Sequence, residues 1–147
     1  MATYSFLDVQ AALVGPGGVI NLGAGAASAE EGITIEPTES IDTMTIGADG
    51  SPMHSLHANK SGKVTIRLLK TSPVNKQLAQ MYAIQTSSGA NHGQNTISIA
   101  SSGLQDVITC QSVAFERAPN ITYAKEGGTN EWTFNAGIID RTLGDNA

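Results

Sequence analysis

The chain has 147 residues, 40% of them hydrophobic, which is long and apolar enough for a domain with its own core. Only 14% of the residues are charged and the formal net charge is −5, which argues against sequence-specific nucleic-acid binding because that needs a basic surface. Since a lone small domain usually covers itself with charge, the low charge favours an oligomer; a β-rich monomer with small polar residues is the alternative.

The single cysteine and the amino-terminal residues bear on the compartment. Cys110 has no partner for a disulfide within the chain, which fits a reducing compartment or a fold that needs no disulfide. The start, MATYSFLDVQ, has neither the basic nor the apolar segment of a secretory signal. No apolar run reaches the roughly 18 residues of a membrane helix, so we expect no membrane insertion by this chain.

Most of the chain predicts β-strands separated by turns rich in glycine, proline, serine and asparagine. The segments with strand-like patterns are 3–14, 19–22, 32–36, 40–46, 63–70, 96–100, 104–117 and 131–140. Pro37 interrupts this pattern, which fits an edge strand or a bulge. In the segment 63–70, Lys63, Thr65 and Arg67 face away from the apolar side of the strand.

One segment, TSPVNKQLAQMYAIQ (71–85), predicts a helix over about residues 72–85. Ser72 is a natural N-cap and Pro73 fits the first helical position. An apolar stripe follows at helical spacing: Val74, Leu78, Met81 and Tyr82. The predicted fold is therefore mainly β, an antiparallel sandwich or partly closed barrel of seven or eight strands with one flanking helix.

The stretch GADGSPMHSLHANKSG (47–62) contains the residue types of a metal site. Zinc needs three or four converging ligands, whereas His54 and His57 are three residues apart and would point to opposite faces of a strand. The remaining histidine, His92, lies in a loose polar segment, and Asp49 lacks the further ligands of a calcium loop. We predict no metal site.

Catalytic motifs are also missing from the sequence. There is no G-x-S-x-G nucleophile elbow, and GAGAAS (23–28) lacks the third glycine and the helix of a dinucleotide loop. The neighbouring acids Glu30 and Glu31 lie beside a turn, and aromatic residues make up only 5%, so a sugar-binding groove has no support. We expect no catalytic residues, no cofactor and no enzymatic activity.

A resemblance covers nearly the whole chain. The run EEGITIEPTESIDTMTIGADGSPMHSLHANKSGKVTIRLLKTSPVNKQLAQMY (30–82) resembles the tail tube proteins of contractile-tailed bacteriophages. The likeness also includes YSFLDV (4–9), GPGGVINLG (15–23) and AKEGGTNEWTFNAGIID (124–140). Its most specific part is the turn TIGADG followed by MHS and then by KVTIRLLKTSPVN.

The resemblance implies a structural protein of the virion tail, assembled in the host cytoplasm. Six copies would close into a ring, and rings would stack into a hollow tube inside the sheath protein, with baseplate and terminator proteins at the ends. DNA would pass through the lumen without specific binding. The whole chain, 1–147, would be a single tail tube domain with a protruding hairpin at about residues 37–62 that reaches the neighbouring ring.

This interpretation assigns residues to two surfaces. The hairpin contacts between rings would be Met44, Ile46, Gly47, Asp49, Gly50, Met53, His54, Leu56 and His57. Gly47 and Gly50 would allow the tight turn, while the methionines, the isoleucine and the leucine would supply an apolar contact. The candidates for the lumen are Glu36, Asp42 and Glu116, because a basic wall would hold DNA through its phosphates.

Two alternatives stay open. One is the tube protein of a related contractile secretion or tailocin particle, whose rings often exist free in solution. The other is a small β-barrel module that binds a carbohydrate or a peptide, which an exposed cluster of aromatic residues would favour.

Overall fold

The computed structural model describes residues 5, 8–23, 28–101, 105–121, 123–125 and 127–143, with only the backbone at 28–31. This part of the chain forms nine strands and one helix. In chain order they are β1 Val9–Gly15, β2 Gly18–Asn21, β3 Ser28–Pro37, β4 Asp42–Ile46, β5 Pro52–Leu56, β6 Gly62–Leu69, α1 Val74–Thr86, β7 Asn95–Ser101, β8 Asp106–Arg117 and β9 Thr129–Thr142.

Seven strands form one antiparallel sheet in the order β2-β1-β7-β8-β9-β6-β3, and β4 pairs only with β5 in a separate hairpin. The prediction of a mainly β, antiparallel fold with one helix is confirmed. The sheet does not close into a barrel, because β2 and β3 remain its two edges in the described part of the chain. Pro37 ends β3, so the prediction that this proline belongs to an edge strand is confirmed.

Alternation within each strand builds one continuous core. Core residues run in register across four strands, from Ile35 on β3 through Val64 and Phe134 to Phe115 on β8. The same core includes Leu13, from the other end of the sheet. A 13-residue helix is about 20 Å long and cannot cover seven strands spaced about 4.8 Å apart. The helix alone therefore does not cover the core.

A β-bulge interrupts the register of β8. Cys110 pairs with Ile97 on β7, but Val113, three residues on, pairs with Asn95, so β8 carries one extra residue. Ser112 in the bulge has a positive φ of 54°. Opposite it stands Gly137, where an added Cβ would lie 2.9 Å from the Cβ of Ser112. The glycine is required because the two strands approach closely at this point.

The helix packs its predicted apolar stripe onto the core. Val74, Leu78 and Met81 are buried, and Tyr82 stands edge-on to Phe115 with 5.5 Å between the ring centroids. The helix begins at Val74 with Pro73 as its N-cap, one residue later than predicted. Ser72, the predicted N-cap, still accepts the Val74 N–H through its Oγ at 3.2 Å. In the described residues, neither this helix nor any other is long and apolar enough to span a membrane.

Candidate assembly surfaces

The hairpin of β4 and β5 ends in a tight turn. Gly47 N–H donates to Ser51 O at 2.8 Å, and Gly50 N–H donates to Gly47 O at 2.9 Å. Gly50 has a φ of 86°, a conformation that favours glycine. Asp49 Oδ1 accepts the Ser51 N–H at 3.0 Å, and hydrogen bonds from the backbone and then the side chain of Ser51 lower the pKa of this carboxyl. Asp49 therefore closes the turn.

The strand register gives the hairpin two different faces, because paired residues of antiparallel strands point to the same side. We call one side the apolar hairpin face; it consists of Asp42, Met44, Ile46, Pro52, His54 and Leu56. The other side, the polar hairpin face, consists of Thr43, Thr45, Met53 and Ser55. The register thus separates Met53 from Met44, Ile46 and Leu56, with which the sequence analysis grouped it.

The apolar hairpin face lies open in the single chain. Met44 is 55% exposed, Ile46 54% and Leu56 83%. The hairpin is joined to the sheet at its base by backbone hydrogen bonds, from Thr38 N–H to Ser61 O at 3.0 Å and from Ile139 N–H to Lys60 O at 2.9 Å. Clustered exposed apolar side chains are typical of an interaction surface.

The histidines of the hairpin contact different partners on opposite faces. His54 Nδ1 lies 3.1 Å from Asp42 Oδ2, and His57 Nε2 lies 2.7 Å from Thr43 Oγ1. His92 lies in the separate segment between the helix and β7. Nowhere in the described part of the chain do three His, Cys, Asp or Glu side chains converge as metal ligands would.

A second surface is the side of the sheet that faces away from the core, which we call the free sheet face. Over β3, β6, β8 and β9 its side chains are Thr34, Glu36, Lys63, Thr65, Arg67, Ala114, Glu116, Arg117, Glu131, Thr133 and Asn135. Two of the three lumen candidates, Glu36 and Glu116, lie on this face, whereas Asp42 lies on the hairpin.

The acids of the free sheet face are mixed with cations. Lys63 Nζ lies 2.9 Å from Glu116 Oε1, and Arg67 Nε lies 3.7 Å from Glu131 Oε2. The predicted outward position of Lys63 and Arg67 on their strand is confirmed by the alternating burial of β6. Their pairing with Glu116 and Glu131 was not predicted, because these acids come from strands more than 50 residues away in the sequence. The only signal for it in the sequence was the outward position of the two cations.

The other half of the free sheet face forms a shallow groove of about 550 Å³. Its lining includes the small and polar side chains Gln10, Ala12, Asn21, Ser98, Ala100, Val107 and Thr109. No acid, histidine or cation is among the lining residues. No general base therefore stands among the lining residues to activate the hydroxyls of Ser98 and Thr109.

The two edges of the sheet are a third surface. In the described residues β2 pairs only with β1, and the ten-residue β3 pairs only with β6. The outer side of an edge strand presents N–H and C=O groups that can pair with another chain. Both edges can therefore be extended by strands of neighbouring molecules.

A family of phage tail proteins matches nearly the whole chain. The family model described as Bacteriophage PhiTE tail tube protein matches residues 1–144. Among curated protein sequences, none matches the chain.

Three solved structures with a similar fold come from a sheath–tube complex, a sheath/tube terminator and a tube-terminating cap. A chain of the PVC sheath–tube complex of an extracellular contractile injection system, in the extended state, has a TM-score of 0.59 and 10% identity over 96% of this chain and 92% of its own. A chain of the PVC sheath/tube terminator has a TM-score of 0.58 and 12% identity over 97% and 98%. The anti-feeding prophage cap, a tube-terminating cap, gives 0.55 and 10% over 97% and 94%. At such identities the similarity shows the fold alone.

Proposed function

Because the chain belongs to the family of bacteriophage PhiTE tail tube proteins, we propose that it is the structural subunit of a phage tail tube. Six copies form a ring, and the rings stack into a hollow tube inside a contractile sheath. The tube ends on baseplate and terminator proteins and conducts DNA into the host cell. The observation that carries this proposal is a sheet with two open edges and a protruding hairpin whose apolar face is uncovered.

Ring closure would use the edges of the sheet. The edge at β2 of one copy would lie beside the edge at β3 of the next, which is a head-to-tail contact of the kind that closes into a ring. This arrangement would satisfy backbone groups that an isolated subunit leaves open to aggregation. It also accounts for the low charge of the chain, since surface between neighbours needs few charged side chains.

Stacking would use the hairpin. We propose that the chain is one tail tube domain, 1–147, from which the hairpin at about 37–62 reaches the adjacent ring. Met44, Ile46 and Leu56 would be buried there, and removal of each from water contributes on the order of 1–2 kcal/mol. Gly47, Asp49 and Gly50 keep the turn in shape, while His54, His57 and Met53 are the remaining contact candidates.

The lumen would be lined by the free sheet face with Glu36 and Glu116. The helix packs against the core on the opposite side of the sheet, so this orientation keeps it out of the channel. The small polar and acidic side chains of the free sheet face offer the phosphates of DNA no cation to bind, and its cations Lys63 and Arg67 contact acids. Asp42 would reach the lumen only where the hairpin borders it. The protein has a structural role, without catalysis, cofactor or membrane insertion, and it assembles in the host cytoplasm into the virion tail.

A second candidate is the tube protein of a contractile secretion or tailocin particle. The observation in its favour is the similar fold of chains from extracellular contractile injection systems. The two functions differ in whether DNA passes through the finished tube. Particles purified from cells that express the chain would carry DNA-filled heads in the first case and none in the second.

The proposal is tested by sedimentation and negative-stain microscopy of the purified protein. We expect association as the concentration is raised, with six-fold rings or tubes that have an axial hole. A monomer at all concentrations, with no particles on the grid even when baseplate components are added, would contradict it.

A further inference from the structure

Two cations of the free sheet face, Lys63 and Arg67, each contact an acid from another strand. Lys63 Nζ lies 2.9 Å from Glu116 Oε1, across the intervening strand β9. Arg67 Nε lies 3.7 Å from Glu131 Oε2, and its Nη1 donates to Thr34 Oγ1 at 2.9 Å. The side chain of Arg67 is only 24% exposed, so the guanidinium lies along the sheet.

A third acid and several uncharged residues surround these two ion pairs. Glu36 stands directly opposite Lys63 in the register of β3 and β6, so this lysine has acids on both sides. The nearest remaining positions of this face are occupied by Thr65, Thr133 and Asn135, which carry no charge. A third cation of this face, Arg117 at the end of β8, directly follows Glu116 and lies opposite Thr133 in the register.

We propose that Glu116 and Glu131 mask Lys63 and Arg67, and thereby prevent this face from holding double-stranded DNA. This role of the two acids rests on the proposed function, in which the free sheet face lines the channel and DNA must slide along it. Lysine and arginine bind phosphates as readily as carboxylates, and each contact that forms with DNA releases a condensed counterion. A carboxylate already in place occupies the cation and repels the phosphate.

The masking acids are distinct from a generally acidic wall. A net negative charge would weaken DNA binding equally wherever the acid stood on the face. Masking requires the particular acids that contact the cations, so their removal should matter more than removal of acids elsewhere. It also predicts that the loss of the acids has no effect once the cations are gone.

The test compares the double variant Glu116→Gln, Glu131→Gln with the control Glu39→Gln, Asp49→Asn, which changes the net charge equally in the hairpin region. Glutamine and asparagine keep the shapes of the side chains they replace. The probe is a short fluorescent DNA duplex, and its anisotropy is measured with unassembled subunits at increasing salt. The single variants Glu116→Gln and Glu131→Gln are measured alongside, and circular dichroism verifies that each variant is folded.

We expect the masking variant to bind the duplex more tightly than both the wild type and the control. Two new phosphate contacts add about 2 to the salt slope, so the gain in affinity falls roughly tenfold between 50 and 200 mM salt. Each single variant should add about 1 to the slope. Adding Lys63→Gln and Arg67→Gln to the masking variant should remove the gain.

Two results would overturn the masking proposal. One is a masking variant that binds DNA no better than the control. The other is a gain in binding that survives the loss of Lys63 and Arg67. Because binding is measured on subunits, the outcome is separate from ring and tube formation, and a wild type that never assembles would contradict the proposed function alone.

Discussion

At the scale of single residues, Gln85 and Asn95 determine where the helix lies on the sheet. Gln85 Nε2 donates to Asn95 Oδ1 at 2.7 Å, Asn95 Nδ2 donates to Gln85 Oε1 at 2.6 Å, and Gln85 also donates to Pro16 O at 2.9 Å. Both side chains are buried. Buried amides are stable only when their hydrogen bonds are satisfied, and a shifted helix would break these bonds. The pair therefore holds the helix in one position on the sheet.

The change Gln85→Ala should therefore lower the free energy of unfolding. It leaves Asn95 and Pro16 O without a partner in the core, which costs about 1–3 kcal/mol. The matched control is Gln80→Ala on the exposed side of the same helix, which should change stability little. Urea unfolding followed by circular dichroism measures both, and equal stability of the two variants would show that the buried pair has no such role.

At the scale of elements, the sequence predicts what depends on local alternation. The helix predicted over 72–85 is observed at Val74–Thr86, and the strand predicted over 63–70 is observed at Gly62–Leu69. The apolar pattern of each lies within one continuous segment, so neighbouring residues are enough to recognise it. The hairpin was predicted from the resemblance to tail tube proteins.

The pairing between distant segments could not be predicted in the same way. The bulge at Ser112, the separation of Met53 from Met44 and the contact of Lys63 with Glu116 depend on the register of strands. A shift of register by one residue exchanges the two faces of a strand, and local periodicity does not contain that information. The site residues were therefore predicted as a group, without their division between faces.

The hairpin gives a prediction with an internal control, because adjacent residues of β4 point to opposite sides. Met44→Asp places a charge on the apolar hairpin face, and Thr45→Asp places it on the polar hairpin face. If the apolar face is buried between rings, the first change costs several kcal/mol at every contact. We expect folded subunits in both cases but far fewer and shorter tubes with Met44→Asp.

Tube length on negative-stain grids is the measurement for this pair of variants. Equal numbers of full-length tubes would show that the apolar hairpin face is not the stacking contact. The reverse result, with Thr45→Asp alone defective, would assign the contact to the face that carries Met53.

At the scale of the whole molecule, three surfaces would build the assembly together. The edges of the sheet would close the ring, the apolar hairpin face would stack the rings, and the free sheet face would line the channel. One feature of the described residues supports each contact. The sheet has open edges, the hairpin exposes Met44, Ile46 and Leu56, and two cations of the free sheet face contact acids. The edges would pair through backbone groups of β2 and β3, whereas the channel would be lined by side chains, so β3 can take part in both.

A cryo-EM map of the assembled tube tests this arrangement most directly. The account predicts six subunits per ring, a sheet that continues from β2 of one copy to β3 of the next, and Met44, Ile46 and Leu56 buried against the adjacent ring. Glu36 and Glu116 should face the lumen, with Lys63 and Arg67 still held by their acids. A tube in which the apolar hairpin face points into solvent, or in which unpaired Lys63 and Arg67 line the channel, would contradict it.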